Sequence, residues 1–246
     1  MISGKKTVTA AAVAVRGLDG GKSRLSLELG YENKSLVKEI IMAMFLDILD
    51  VLSRAINRSV MDFMIVCSSD DKLLGLSKEG NFLPLKDDGK DLNFAVFKAL
   101  NEAKKRFATQ SIVIMGDTPL ISVKNIRDLV EIAKDYDRVV VACPTNDGGT
   151  STVLFKPCNV MVPVFGGTSF KAFQEKARLE KVPFRRYEDP SVTLDVDTLK
   201  DLEKLLKILE DKKRELEEEG IMSKRTLKAS KKILSSNVLR VSPLSK

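Results

Sequence analysis

The chain has 246 residues, 43% of them hydrophobic and 30% charged, with a formal charge of +7. That balance supports a sizeable buried core and excludes a disordered chain. No apolar run approaches the roughly 20 residues needed to cross a bilayer. Residues 1–9 lack the apolar stretch of a secretory leader, so no membrane and a cytoplasmic location are expected.

Two counts narrow the chemistry further. There is no histidine, which excludes Ser-His-Asp and Cys-His nucleophiles, histidine-liganded zinc and histidine general bases. The positive excess lies entirely in residues 221–246, which carry Lys224, Arg225, Lys228, Lys231, Lys232, Arg240 and Lys246 and no acid. The rest of the chain is balanced, so a nucleic-acid partner is not expected. Three cysteines are few and odd in number; Cys67 and Cys143 sit in apolar runs and read as reduced thiols.

In chain order, residues 7–15 (TVTAAAVAV) form a small and β-branched run expected of a strand covered on both faces. A basic glycine loop, residues 16–24, follows. Residues 35–56 repeat apolar side chains at helical spacing. Strands are predicted at 63–67, 111–115 and 138–143, and helices at 92–106 and 123–133. After Pro144 come a glycine and hydroxyl loop (146–152), a short strand (153–156), a helix (168–180) and a long charged helix (199–219) ended by Gly220. Residues 237–241 read as an edge strand. The alternation predicts an α/β fold, a mostly parallel sheet flanked by helices on both faces. Residues 1–210 are expected to form the catalytic domain, with 211–246 as a C-terminal appendage.

In such a sheet the working surface lies at the carboxyl ends of the strands, where four segments fall. The first, Arg16-Gly17-Leu18-Asp19-Gly20-Gly21-Lys22-Ser23-Arg24-Leu25, lets backbone amides approach a polyphosphate that Lys22 and Arg24 can neutralise; it also reads as a solvated basic turn. It lacks the spacing of a Walker loop. The second, Met115-Gly116-Asp117-Thr118-Pro119-Leu120, ends a strand on a carboxylate that suits Mg²⁺ beside substrate phosphates, or a helix cap. The third, Thr193-Leu194-Asp195-Val196-Asp197, puts the carboxylates of Asp195 and Asp197 on one face if extended, as a metal pair or as solvated surface. The fourth joins Asn146-Asp147-Gly148-Gly149-Thr150-Ser151 to Phe165-Gly166-Gly167-Thr168-Ser169, where hydroxyls and a helix N-terminus can take a small anion; either is also readable as a plain glycine turn. Together they suggest nucleotidyl transfer, in which a phosphomonoester is already an anion at neutral pH and needs no general base.

These segments, with Lys90-Asp91-Leu92-Asn93, occur in one order that resembles the CofC family, 2-phospho-L-lactate guanylyltransferases of coenzyme F420 biosynthesis. The resemblance spans about residues 7–202. It implies a nucleotidyltransferase fold of the nucleotide-diphospho-sugar transferase type, GTP as substrate, Mg²⁺ and release of pyrophosphate. By that pattern Asp117, Asp195 and Asp197 would hold metal, and Thr150, Gly166 and Ser169 the phosphorylated small carboxylic acid. Gly21 and Lys22 would meet the triphosphate, with Arg24 beside them, and Asp91 and Asn93 would line the nucleotide pocket. Ser151 stands where many members have asparagine, and residues 168–173 lack the histidine that usually follows. Both departures touch the acid pocket.

Phosphoenolpyruvate is the rival acceptor, since it differs by one double bond. More distant rivals are nucleotidyltransferases for other phosphorylated acceptors, such as the molybdenum-cofactor or isoprenoid enzymes. A reading of another class makes the domain a passive scaffold whose basic tail binds nucleic acid. A structural tail that packs on a second subunit, in a homodimer, is the reading the resemblance favours for that segment.

Overall fold

Strand β1 (Thr9–Val15) is buried along its whole length, as its run of alanine and valine requires. Its residues divide between two cores. Ala11, Val13 and Val15 face one hydrophobic cluster, while Ala10, Ala12 and Ala14 face the other. The structure, a computed structural model, describes residues 7–19, 21–80, 82–88, 91–211 and 223–236.

Among the described residues one sheet holds β1, β2 (Phe63–Ser68), β3 (Leu83–Lys86), β4 (Gln110–Met115), β5 (Val139–Pro144), β6 (Thr150–Lys156) and β7 (Phe184–Arg186). Their order is β3-β2-β1-β4-β6-β5-β7. All neighbours are parallel except β6, which is antiparallel to both β4 and β5. The chain runs outward from β1 to β2 and β3, then returns to β4 on the other side of β1. The gap above β1 and β4 is therefore the switch point where α/β sheets bind ligands.

The helices are α1 (Ser23–Leu29), α2 (Lys34–Asn57), α3 (Asp71–Glu79), α4 (Leu92–Lys105), α5 (Val123–Ala133), α6 (Ser169–Leu179), α7 (Pro190–Thr193), α8 (Leu199–Asp211) and α9 (Lys224–Ser235). Helices α2, α5, α8 and α9 supply one core through residues such as Phe45, Ile126, Leu205 and Ile233. Helices α4 and α6 supply the other through Val96, Leu100 and Phe173. The expected layering on both faces is thus present.

Several local expectations need correction. Residues 150–152, read as loop, open β6, because strand pairing with β4 and β5 overrides their loop-like hydroxyl composition. Helices α1, α3 and α7 and strands β3 and β7 are additional elements. Strand β3 alternates burial and carries Pro84 at the sheet edge, where a missing amide is tolerated. The long charged helix is described to Asp211; Gly220 and the edge strand at 237–241 lie outside the described residues. Helix α9 packs on α2 and α8 of its own chain.

Candidate active site

The loop after β1 is shaped before any ligand is considered. Asp70 caps α3 by accepting from the Lys72 and Leu73 amides, and its other oxygen accepts from the Leu18 amide at 2.9 Å. The Gly21 amide closes the loop on the Gly17 carbonyl at 3.2 Å. Lys22 then enters α1 from a left-handed backbone, φ 58° and ψ 50°, a conformation that costs a non-glycine residue about 1 kcal/mol or more.

That backbone aims the Lys22 side chain into a cleft of about 410 Å³ at the carboxyl ends of β1 and β4. Its ammonium donates to Asp117 Oδ2 and Asp197 Oδ1, each at 2.6 Å, and the side chain is only 9% exposed. Burial alone would lower the Lys22 pKa; Asp117 and Asp197 more than offset it, so it lies above the ordinary lysine value. Arg24 is largely exposed at the cleft mouth, 3.8 Å from the second oxygen of Asp197.

Two backbone features bring the carboxylates together. Gly116 lets the end of β4 approach β1, since a Cβ there would sit 2.8 Å from Val15 Cγ2, a stiff β-branched neighbour. The Val196 amide donates to the Asp117 carbonyl at 3.3 Å, tying the two acidic segments directly. Asp195 lines the same cleft, and its pKa is pushed up to about 6 by burial first and then by Asp117, Asp147 and Asp197. Among the described residues no three His, Cys, Asp or Glu side chains converge closely enough to cage a cation. Lys22 stands between two of the three expected ligands.

The two glycine loops are stitched into one wall. The Phe170 amide donates to the Gly148 carbonyl, and Ser169 Oγ donates to Thr150 Oγ1 at 2.9 Å. Gly166, at φ 144°, turns the chain in a region closed to side-chain-bearing residues, and its carbonyl accepts from the Ser169 amide. Gly21, Lys22, Arg24, Asp117, Thr150, Gly166, Ser169, Asp195 and Asp197 therefore all line one cleft. Ser151 also lines it, with its hydroxyl committed to the Val192 carbonyl at 2.5 Å.

Asp91 and Asn93 are placed differently. Asp91 caps α4 through the Asn93 and Phe94 amides and lines a small adjoining pocket that shares Ala14, Val15, Arg16 and Leu92 with the cleft. Both side-chain amide atoms of Asn93 engage the Phe165 backbone, at 2.6 and 2.9 Å, so Asn93 acts on the cleft through its Phe165 wall. Lys90 lies outside the described residues.

Sequence reasoning missed Asp70 and a buried hub at Asn125. The Asn125 Oδ1 accepts from the Ser122 amide and hydroxyl and from the Ser191 hydroxyl, and its Nδ2 donates to Tyr187. Polar residues after the apolar run of β2 were a capping signal for Asp70. Nothing local marked Asn125.

A switch-point cleft with basic and acidic walls on this sheet defines the nucleotidyltransferase class of fold. A protein assigned as a nucleotide-diphospho-sugar transferase, from Desulfovibrio desulfuricans G20, matches 96% of this chain and 98% of its own with a TM-score of 0.71 at 18% identity, a likeness of fold. Within that class the chain belongs to the CofC-like guanylyl transferase family, whose model matches residues 9–224. It is 30% identical to a phosphoenolpyruvate guanylyltransferase of Sphaerobacter thermophilus, over 80% of this chain and 92% of the relative. It is 27% identical to a 2-phospho-L-lactate guanylyltransferase of Methanobrevibacter ruminantium, over 80% and 84%. The protein is therefore a guanylyltransferase, an enzyme of small-molecule substrates. Among the described residues no helix is long and apolar enough to cross a membrane.

Proposed function

We propose that this guanylyltransferase joins GTP to (2S)-2-phospholactate, giving lactyl-2-diphospho-5'-guanosine and pyrophosphate, a step of coenzyme F420 biosynthesis. The observation that carries the acceptor class is the buried Thr150–Ser169 hydroxyl pair at the start of α6, in the same cleft as Lys22. Two hydroxyls and a helix N-terminus suit a small anion. Lys22, Arg24 and Gly21 would meet the triphosphate, Asp91 would border the base, and Thr150, Gly166 and Ser169 would hold the acid.

In the reaction an oxygen of the acid's phosphate attacks the α-phosphorus of GTP. A new P–O–P linkage forms, the bond to the bridging oxygen breaks, and pyrophosphate leaves with its electron pair. The attacking oxygen is already ionised, its second pKa being about 6, so no histidine is required. The protein's work is orientation and neutralisation of charge.

Mg²⁺ suits the donor chemistry of the acidic wall, although in this structure its carboxylates do not converge closely enough to cage an ion and Lys22 bridges two of them. Asp117, Asp195 and Asp197 offer only oxygen; burial first, and then the neighbouring carboxylates, raise the pKa of Asp195, and a hard cation would relieve that repulsion. Those three residues would hold the ion, whose charge would neutralise phosphate oxygens when bound. Residues 1–210 would form the catalytic domain, with 211–246 appended. The enzyme would work in the cytoplasm, where its three buried cysteines stay as thiols.

Phosphoenolpyruvate is the second reading, favoured by the Sphaerobacter relative. A pyrophosphate-release assay with the four NTPs and both acids separates the two. GTP with 2-phospholactate as the best pair supports the proposal. A preference for phosphoenolpyruvate supports the second reading, and turnover with neither acid overturns both.

A further inference from the structure

The basic C-terminal segment has no part in the chemistry above, and its helix α9 is built around an unusual exchange of partners. Helix α2 carries Asp47, which is 1% exposed on the core side of an apolar stripe. A carboxylate buried this way needs donors on both oxygens, and α9 supplies them. Oδ1 accepts from the Arg225 guanidinium at 3.0 Å and from the Arg225 amide at 3.4 Å. Oδ2 accepts from the Thr226 amide at 2.8 Å and the Thr226 hydroxyl at 2.7 Å.

Arg225 and Thr226 are the second and third residues of α9, whose amides have no acceptor within the helix. Ser223 occupies the cap position, where a serine hydroxyl ordinarily accepts those amides. It makes no such bond. Instead Ser223 Oγ donates to the Pro119 carbonyl at 2.6 Å, two residues beyond Asp117. The same helix is also tied to its neighbours: Lys231 pairs with Glu210 near the end of α8, and Lys232 pairs with Glu39 on α2. Ala229 and Ile233 seat it in the core.

We propose that α9 braces the Asp117 turn, with Asp47 taking over the capping of α9 and so releasing the Ser223 hydroxyl to hold Pro119. Ser223 is then a positioning residue for guanylyl transfer. The inference rests on the reading that Asp117 acts in that reaction.

The test is steady-state kinetics of full-length Ser223→Ala and Ser223→Thr, with thermal unfolding of each. Asp47 still caps α9 in both, so both should fold, Ser223→Ala with a modest fall in Tm from the unpaired Pro119 carbonyl. For Ser223→Ala, kcat should fall about 10-fold, less than the roughly 100-fold that a misplacement of about 1 Å can cost, with KM for GTP and for the acid within about twofold. Ser223→Thr, which keeps the hydroxyl, should recover most of the loss. Ser223→Gly, acceptable at a cap position, replaces the alanine variant if that fails to fold. Unchanged kcat in a folded variant, or a loss confined to KM, overturns the brace. Asp117→Asn run in parallel separates the two ideas, because full activity there removes the role of the turn itself whatever Ser223→Ala does.

Discussion

Lys22 donates its ammonium to Asp117 at 2.6 Å although 95 residues separate them. The pairing costs a left-handed backbone at Lys22, with φ 58°, in a loop held by Asp70 and Gly17. Strain of this kind persists only where the surroundings over-determine it. Here the surroundings are two carboxylates that would otherwise repel one another.

Asp117→Asn keeps the size and one oxygen but gives up the charge. Guanylyl transfer should fall by about 100-fold or more at saturating Mg²⁺, the scale on which preorganised electrostatic groups act. The fold should be kept, since the Val196 amide bond to the Asp117 carbonyl is retained, with a lower Tm because the buried Lys22 ammonium loses one of its two counter-charges. Activity within a few-fold of the parent would remove Asp117 from the machinery.

Thr150→Ala and Ser169→Ala each delete one hydroxyl of the pair at 2.9 Å. A charge-assisted hydrogen bond is worth about 1.5–3 kcal/mol, so the KM for the acid should rise about 10-fold or more in each variant. The KM for GTP should change little. A rise for GTP instead of the acid would mean the two substrates had been assigned to the wrong walls.

Asp195 predicts a pH dependence of stability in chelator-treated protein. Its folded pKa is raised, from 3.8 to about 6, chiefly by burial. Between those values the unfolded chain binds fewer protons than the folded one, so this group's contribution to stability falls as pH rises from about 4 to 6. The penalty is absent below the window and complete above it. Asp195→Asn should therefore be more stable than the parent at pH 7, by about 1 kcal/mol once solvent screening of this half-buried group is allowed for, and equal to it near pH 3.5. Urea unfolding across this range measures the difference, and a gap independent of pH would refute the account.

Asn125 joins Ser122, which follows the Asp117 turn, to Ser191, which precedes Asp195. Asn125→Ala strands the buried Ser122 amide, while Ser191 and Tyr187 keep their bonds to Asp189 and Asp128. It should cost about 2–3 kcal/mol, the desolvation penalty of buried polar groups left unpaired, read from the urea midpoint. A change below about 0.5 kcal/mol, the range of an ordinary surface substitution, would show that water replaces the amide at no cost.

The sequence by itself determined the parallel core and the cleft's ingredients. Strands β1, β2, β4 and β5 were legible because a strand covered on both faces must be apolar throughout, which leaves a continuous run of Ala, Val and Ile. Gly21-Lys22, Gly116-Asp117 and Asp195-Val196-Asp197 were legible because they end such runs or precede a helix. Tertiary structure decided what these rules leave open. Strand β6 begins at Thr150 because β4 and β5 claim its backbone from both sides, a fact that three hydroxyl residues in a row do not announce. The lysine expected to face phosphate binds Asp117 and Asp197 in this structure, 95 and 175 residues away. The buried Asp47 acquires its donors only when α9 docks, 178 and 179 residues later. Local sequence sets backbone preference and burial pattern; which charges meet is fixed by the sheet order that brings distant segments to one edge.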